Sequence, residues 1–203
     1  MIYILLSLAL FAITVAIHEC AHGWVANRLG DPTAKFSGRL TLNPLAHIDL
    51  FGTIILPLSL VLMRSPFVIG YAKPVPINFA NLKNPKKDII WVGLAGPLAN
   101  IIVAIVLSSI LKITMPLVAY QVITMAIFYN LLLAFFNLIP IPPLDGSRVV
   151  FGLLPYRYSM RYAKIERYGF AIIMFAVFFL GLLDNIVLPM VYLVANLLGV
   201  SGI

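Results

Sequence analysis

The chain has 203 residues, of which 62% are hydrophobic and only 10% charged, and its mean hydropathy is +1.04. These values lie far from those of soluble globular domains, so they exclude an ordinary soluble protein and predict an integral membrane protein. The net charge of +7 indicates basic loops held against an anionic membrane surface, so we expect a lipid bilayer and no nucleic acid as partner. The single cysteine, Cys20, excludes an internal disulfide.

Long apolar segments predict an all-α polytopic membrane protein. A helix needs about 20 apolar residues to cross a hydrocarbon core of about 30 Å. We expect about five transmembrane helices, from segments 2–27, 89–111, 117–139, 170–181 with its flanks, and 186–200. The first segment runs directly into a polar motif with no small-residue cleavage site, so we expect it to be retained and not removed as a signal peptide.

A different kind of element is predicted between the first two of these segments. The apolar stretch 51–63 is short for a full crossing and contains Pro57, which is typical of a re-entrant or interfacial segment. The preceding sequence GRLTLNP, residues 38–44, alternates polar and apolar side chains and predicts a short β-strand. Together they predict a membrane-associated element with some β structure.

The sequence HECAH, residues 18–22, lies near the end of the first apolar segment. Residues four apart on a helix lie on one face, so His18 and His22 direct both imidazoles at one point and are suited to share a Zn²⁺ ion. Glu19 is placed to act as a general base on a metal-activated water. The alternative is that these are ordinary polar residues at a membrane boundary, but ionisable groups in a spanning helix are costly and usually functional.

A catalytic zinc site needs a third protein ligand. Asp145 is the strongest candidate because it follows the apolar helix that ends at the sequence IPIPP, where three prolines interrupt the backbone. Irregular backbone at membrane depth is tolerated only where it is buried in protein or lines a wet cavity. The other candidates for the third ligand are His47, Asp49, Asp88, Glu166, Asp31 and Asp184.

Topology supports the same assignment. Asp145 reaches the two histidines only if the chain between them crosses the membrane an even number of times, which segments 89–111 and 117–139 provide if 51–63 is re-entrant. This arrangement leaves only Lys112 on one side, and the positive-inside rule makes the other side the cytoplasm. The cationic residues on that side are Arg28, Lys35, Arg39, Arg64, Lys73, Lys83, Lys86, Lys87, Arg148, Arg157, Arg161, Lys164 and Arg167.

Three motifs in order, HECAH, GLAGPLAN and NLIPIPPLDG, resemble the site-2 protease family of intramembrane zinc metalloproteases, in its compact group without PDZ or CBS domains. The resemblance implies a protease that cleaves transmembrane protein or peptide substrates. With the positive-inside rule, we expect it in the cell membrane with its active site toward the cytoplasm. The resemblance also implies that the segment starting at residue 38 engages an unwound substrate strand. For the site it implies one Zn²⁺ held by His18, His22 and Asp145, catalysis by Glu19, and substrate binding by Asn100 and Asn137.

The residues alone leave several alternatives open. Asn100 is suited either to contact substrate or to form a hydrogen bond between helices, because an amide is costly in lipid. A membrane metal transporter or an inactive scaffold with structural zinc would also place His and Asp within helices. We expect residues 1–203 to form one intramembrane metalloprotease domain, with its motifs in 1–146 and an interfacial helix plus two transmembrane helices in 147–203.

Overall fold

The computed structural model describes residues 2–55, 59, 62–63 and 72–200. Within them the protein is helical and contains no β-strand, so the predicted all-α class is confirmed. Short 3₁₀ turns lie at Pro44–His47 and Phe79–Asn81, and π-helical turns lie at Leu50–Ile55 and Leu183–Val187. The α-helices are α1 (Ile2–Leu29), α2 (Thr33–Phe36), α3 (Pro85–Ile110), α4 (Leu117–Asn137), α5 (Asp145–Leu153), α6 (Tyr156–Ala163), α7 (Glu166–Phe179) and α8 (Leu188–Leu197).

Three helices in the described part of the chain are long and apolar enough to cross a membrane. They cover Leu5–Leu29 of α1, all of α3 and all of α4. A fourth span results if α7 and the helical segment Leu183–Leu197 are counted together, although the two are bent by 73° at their junction. The structure therefore supports a multi-pass membrane protein with three or four spans, and the predicted count of about five is not confirmed.

The bent pair explains the difference. At a rise of about 1.5 Å per residue, α7 is only about 21 Å long, which is less than the hydrocarbon thickness of about 30 Å. Gly181 lies at the break with a φ of +61°, a conformation that glycine adopts without penalty. The chain then restarts with a hydrogen bond from the Asn185 N–H to the Gly181 carbonyl at 2.8 Å. Apolar composition predicted two separate crossings here because it does not reveal such a break.

The predicted β-strand at residues 38–44 is not found, because this segment forms turns and irregular backbone. Its polar groups are satisfied locally: the Arg39 N–H donates to the Ala34 carbonyl at 2.9 Å, and the His47 ring donates to the Thr41 carbonyl at 3.0 Å. A strand needs a neighbouring strand to pair with, and the described residues supply none. The predicted re-entrant segment 51–63 lies largely outside the described residues.

Helix α3 is central to the packing and contacts α5, α4 and α1 more extensively than any other helices contact one another in the described structure. Small buried residues along it, Ala95, Gly96 and Ala104, allow these neighbours to approach closely. A separate apolar cluster joins α4 to α8 through Ile127, Leu131 and Val191. The result is that α1, α3 and the start of α5 meet at one place, which is the candidate site.

Candidate metal centre

Three buried ligand atoms converge where α1, α3 and α5 meet. The Nε2 atoms of His18 and His22 lie 3.1 Å apart, and each lies 3.0 Å from Oδ2 of Asp145. All three side chains are buried, with at most 6% of each residue exposed. A tetrahedral zinc ion with bonds of about 2.0–2.1 Å separates its ligand atoms by about 3.3 Å. The observed spacing is close to that value.

The hydrogen bonds made by the Nδ1 atoms of His18 and His22 show that these three side chains are suited to bind a cation. The Nδ1–H of His22 donates to the Val92 carbonyl at 2.6 Å, and the Nδ1–H of His18 donates to Oδ1 of Asn100, also at 2.6 Å. Each Nε2 of a neutral ring then directs a lone pair toward the Asp145 oxygen. Three acceptors this close repel one another unless a cation lies among them, and imidazoles oriented by a second hydrogen bond are typical of metal ligands.

Asp145 is fixed at the first turn of α5, where the helix dipole favours a negative charge. Its second oxygen, Oδ1, lies 3.3 Å from the Arg148 guanidinium one turn later. The two oxygens therefore have separate partners, so that Oδ2 is directed at the histidines. Gly146 follows because the α5 backbone passes close to the Leu138 carbonyl, where a Cβ atom would collide. Asp145 thus supplies the possible metal ligand, and Gly146 allows the close backbone contact that positions it.

Two glycines of the GLAG sequence bring α3 against the centre. A Cβ atom at Gly96 would lie 2.6 Å from Cε1 and 2.7 Å from Nε2 of His18, and would also collide with His22. A Cβ atom at Gly93 would lie 2.9 Å from the Asp145 carbonyl. Gly96 therefore provides the space for the imidazole rings, and as a small residue it also lets the helices approach closely.

Asn100 belongs to a buried polar network that joins three helices. Besides accepting from His18, its amide donates to Oδ1 of Asn130 at 2.8 Å and to the Thr14 carbonyl at 3.2 Å. Asn130 in turn donates to the Thr14 hydroxyl at 3.2 Å. Asn100 is fully buried. Of the two roles open from sequence, the structure shows the hydrogen bonds between helices, and contact of Asn100 with substrate stays a prediction.

The sequence reasoning missed Thr14 and Asn130. The available signal was chemical: Asn130 interrupts the apolar run of α4, and an amide in a spanning helix has to find a protein partner or water.

Asn137 is the last residue of α4, directly before the broken backbone, and is half-buried. Its amide donates back to the Leu133 carbonyl at 3.0 Å.

Glu19 is half-buried, and its Oε2 accepts a hydrogen bond from the Val75 N–H at 2.8 Å. Val75 is another residue that sequence reasoning did not single out.

The structure gives other partners to most of the alternative third ligands. Asp49 accepts from the Gly52 N–H at 2.7 Å, and Asp88 accepts from the Asn84 N–H at 2.8 Å. His47 bonds to a carbonyl of its own loop. Among the described residues, the group that brings together three possible metal ligands is that of His18, His22 and Asp145.

These features define a class of protein: a helical, multi-pass membrane protein with a buried centre of two histidines and an aspartate between its helices. The chain matches the sequence model of Peptidase family M50 over residues 6–117 and 112–182 and belongs to that family. The membership expected from its motifs is thereby confirmed, and the protein is a peptidase.

Individual relatives agree with the family. The chain is 38% identical to the Bacillus subtilis (strain 168) protein named "Putative zinc metalloprotease YwhC", over 87% of this chain and 80% of that protein. It is 27% identical to "Putative zinc metalloprotease Rip2" of Mycolicibacterium smegmatis, over 83% of this chain and 65% of the relative. It is 26% identical to "Zinc metalloprotease MJ0392" of Methanocaldococcus jannaschii, over 74% of this chain and 34% of the relative. No solved structure matches the chain.

Proposed function

We propose that the protein is an intramembrane zinc metalloendopeptidase that hydrolyses peptide bonds within or near transmembrane segments, as in regulated intramembrane proteolysis. The observation that carries the proposal is the convergence of His18, His22 and Asp145 in a buried site of a membrane protein. His18 lies about 16 Å along α1 from its Leu29 end, so the site is well inside a helix of membrane-spanning length. The names of the relatives support zinc as the ion.

The chemistry divides between the ion and the chain. A zinc ion at His18, His22 and Asp145 would supply Lewis acidity, which polarises a scissile carbonyl and acidifies a water molecule. The oxygen of the attacking water forms a bond to the carbonyl carbon, and Glu19 accepts a proton from that water. Glu19 then returns that proton to the leaving nitrogen when the carbon–nitrogen bond breaks.

The two asparagines receive different roles in this proposal. Asn100 orients the His18 ring from behind, because its amide is occupied by protein partners. Asn137 contacts the substrate, because it is partly exposed at the end of α4 where the backbone is interrupted. The peptide bonds of a helical substrate are closed by their own hydrogen bonds, so the substrate has to unwind before this site acts on it.

A cleavage assay tests the proposed function. The purified protein, reconstituted in lipid, is incubated with a transmembrane peptide that carries a helix-destabilising Gly-Pro pair, with and without a zinc chelator. We expect cleavage that the chelator abolishes and that added zinc restores. Equal product with and without the chelator would refute metal catalysis.

The Glu19→Gln variant separates the proposal from its rivals. We expect it to lose about 10²- to 10⁴-fold in cleavage rate while it retains bound zinc. Glu166→Gln is the matched control, because Glu166 is exposed at the start of α7. Zinc flux without cleavage would identify a transporter, and bound zinc with neither activity would identify a scaffold.

We propose a cell-membrane location with the site toward the cytoplasm, on the basis of the distribution of Lys and Arg. In a Cys20→Ser background, Lys112→Cys should react with a membrane-impermeant maleimide on intact cells, whereas Lys164→Cys should react only after permeabilisation. Both lysines are exposed. The reverse labelling pattern would overturn the orientation.

A further inference from the structure

Residues 72–83, here called the strap, connect the loop region to α3 and run alongside the second half of α1. Backbone groups tie this segment down at successive points. The Lys73 N–H donates to the His47 carbonyl at 2.9 Å, and the Lys83 N–H donates to the Leu29 carbonyl at 3.0 Å. Between these ends, the Val75 N–H donates to the carboxylate of Glu19. The strap therefore forms a direct hydrogen bond with Glu19, the proposed proton-transfer residue.

The sequence around Val75 places a single donor at this point. Pro74 and Pro76 have no N–H, so Val75 supplies the one backbone donor of the three residues. The Val75 side chain is buried, and it packs over Gly23, where a Cβ atom would lie 3.0 Å from Cγ1 of Val75. Proline also restricts the backbone on both sides. Both side-chain packing and backbone stiffness thus hold the N–H at Glu19.

Asp31 fastens the strap to α1. Its carboxylate is fully buried and accepts hydrogen bonds from the Asn78 N–H at 2.7 Å and from the Asn81 amide at 2.9 Å. Thr33 donates its N–H and its hydroxyl to the same carboxylate. Asp31 lies two residues beyond the end of α1, and its N–H donates to the Ala26 carbonyl at 2.9 Å. Asp31 therefore attaches the strap to the end of α1, the same helix that carries Glu19.

The strap also reaches the ligand on the other side of the centre. The Arg148 guanidinium lies over the Phe79 ring, 5.5 Å from its centroid, and the same guanidinium pairs with Oδ1 of Asp145. One segment thus contacts the carboxylate of Glu19 directly and that of Asp145 through Arg148.

We propose that Val75 is a positioning residue, whose backbone N–H holds the Glu19 carboxylate in place for proton transfer, and that Asp31 keeps the strap in register for this contact. The inference rests on the proposed role of Glu19. A glutamate side chain has three rotatable bonds, and a hydrogen bond to its charged form is among the stronger ways to fix it. Misplacing a reacting group by about 1 Å is enough to cost about 10²-fold in rate.

Val75→Pro tests the proposal, with Val75→Ala as its matched control. Proline removes the N–H, whereas alanine keeps the N–H and removes only the packing over Gly23. We expect kcat of Val75→Pro to fall at least about tenfold below that of Val75→Ala, with similar KM and equal zinc content. Equal kcat values would overturn the proposal. A higher kcat in Val75→Pro would also overturn it, because the contact would then restrain Glu19 in an inactive arrangement.

Hydrogen exchange gives a readout that needs no catalysis. We expect the backbone N–H of Val75 to exchange about tenfold faster in Glu19→Ala than in the wild type. The exchange rate of the backbone N–H of Asn78 should be unchanged. Glu19→Gln should retain most of the protection because its amide oxygen still accepts. Asp31→Asn should speed exchange along the strap, and Asp31→Glu should restore part of the protection.

The two proposals fail in different ways. Equal Val75 exchange in wild type and Glu19→Ala would refute the strap contact, and it would leave chelator-sensitive cleavage intact. Cleavage that does not respond to the chelator would refute the proposed function, and it would leave the exchange pattern unchanged.

Discussion

Asn100 of α3 and His18 of α1 are joined by a 2.6 Å hydrogen bond that fixes the tautomer of a proposed zinc ligand. Removing this acceptor in Asn100→Ala should lower zinc affinity by about 10- to 100-fold, because the ring loses its orienting partner. Competition with a chromogenic chelator measures the affinity. Ser108→Ala is the control: Ser108 is buried on the same helix, and its hydroxyl bonds only to its own helix in the described contacts, at the Ile105 carbonyl. Equal affinities would show that Asn100 does not act through His18.

Zinc binding should be reduced more by loss of the Asp145 charge than by loss of its neighbour Arg148. Asp145→Asn removes the anionic ligand and should abolish zinc binding. Arg148→Met leaves the ligand in place but removes the partner of its other oxygen, so a smaller loss of about tenfold is expected. Metal content and chelator competition distinguish the two. The control is Arg157→Met on α6, where the side chain is exposed. Full zinc binding by Asp145→Asn would remove it from the ligand set.

Two glycine-to-alanine changes should separate the metal centre from the strap. The Cβ atom in Gly96→Ala would collide with both imidazoles, so this variant should lose zinc while remaining folded. The Cβ atom in Gly23→Ala would meet Val75 and Ala34 at 3.0 Å, so this variant should keep zinc but expose the strap to hydrogen exchange. Metal analysis and exchange are measured on both. The same phenotype in both variants would contradict the separation.

The attachment of the strap through Asp31 should depend on pH only in the acidic range. Burial opposes ionisation of this carboxyl, but hydrogen bonds from Thr33, Asn81 and Asn78 outweigh it and lower the pKa below its ordinary value of 3.8. A lowered pKa means that the stabilisation is present above the ordinary value and is lost as the pH falls through the folded-state value.

Strap exchange, corrected for the intrinsic rate at each pH, should therefore be constant from pH 7 to pH 5 and rise below pH 3.8. In Asp31→Asn this acid step should be missing. A step between pH 5 and pH 7 in the wild type would show that another group controls the strap.

Local sequence patterns predicted the parts of the site that depend on one helix. The spacing of His18 and His22 fixes their shared face, and a proline-broken helix end indicated Asp145. The predicted spans 89–111 and 117–139 match α3 and α4 to within a few residues because long apolar runs determine both.

Contacts between distant segments were not predictable in the same way. The bond between Glu19 and Val75 depends on how a loop of irregular backbone lies against α1, and no periodicity encodes that. The partnership of Asn100 with Asn130 depends on the rotation of two packed helices. The alternation at residues 38–44 suggested a strand, but alternation supplies no pairing partner.

The proline-flanked strap has a consequence for the peptidase itself. The enzyme keeps one of its own peptide segments within hydrogen-bonding distance of the group that we propose as its proton carrier. A substrate chain is gripped through alternating backbone donors and acceptors. Pro74 and Pro76 have no N–H to donate, and their rings stiffen the chain. We therefore expect the strap to be a poor substrate for the peptidase itself, although it lies against the residue that we propose as the proton carrier.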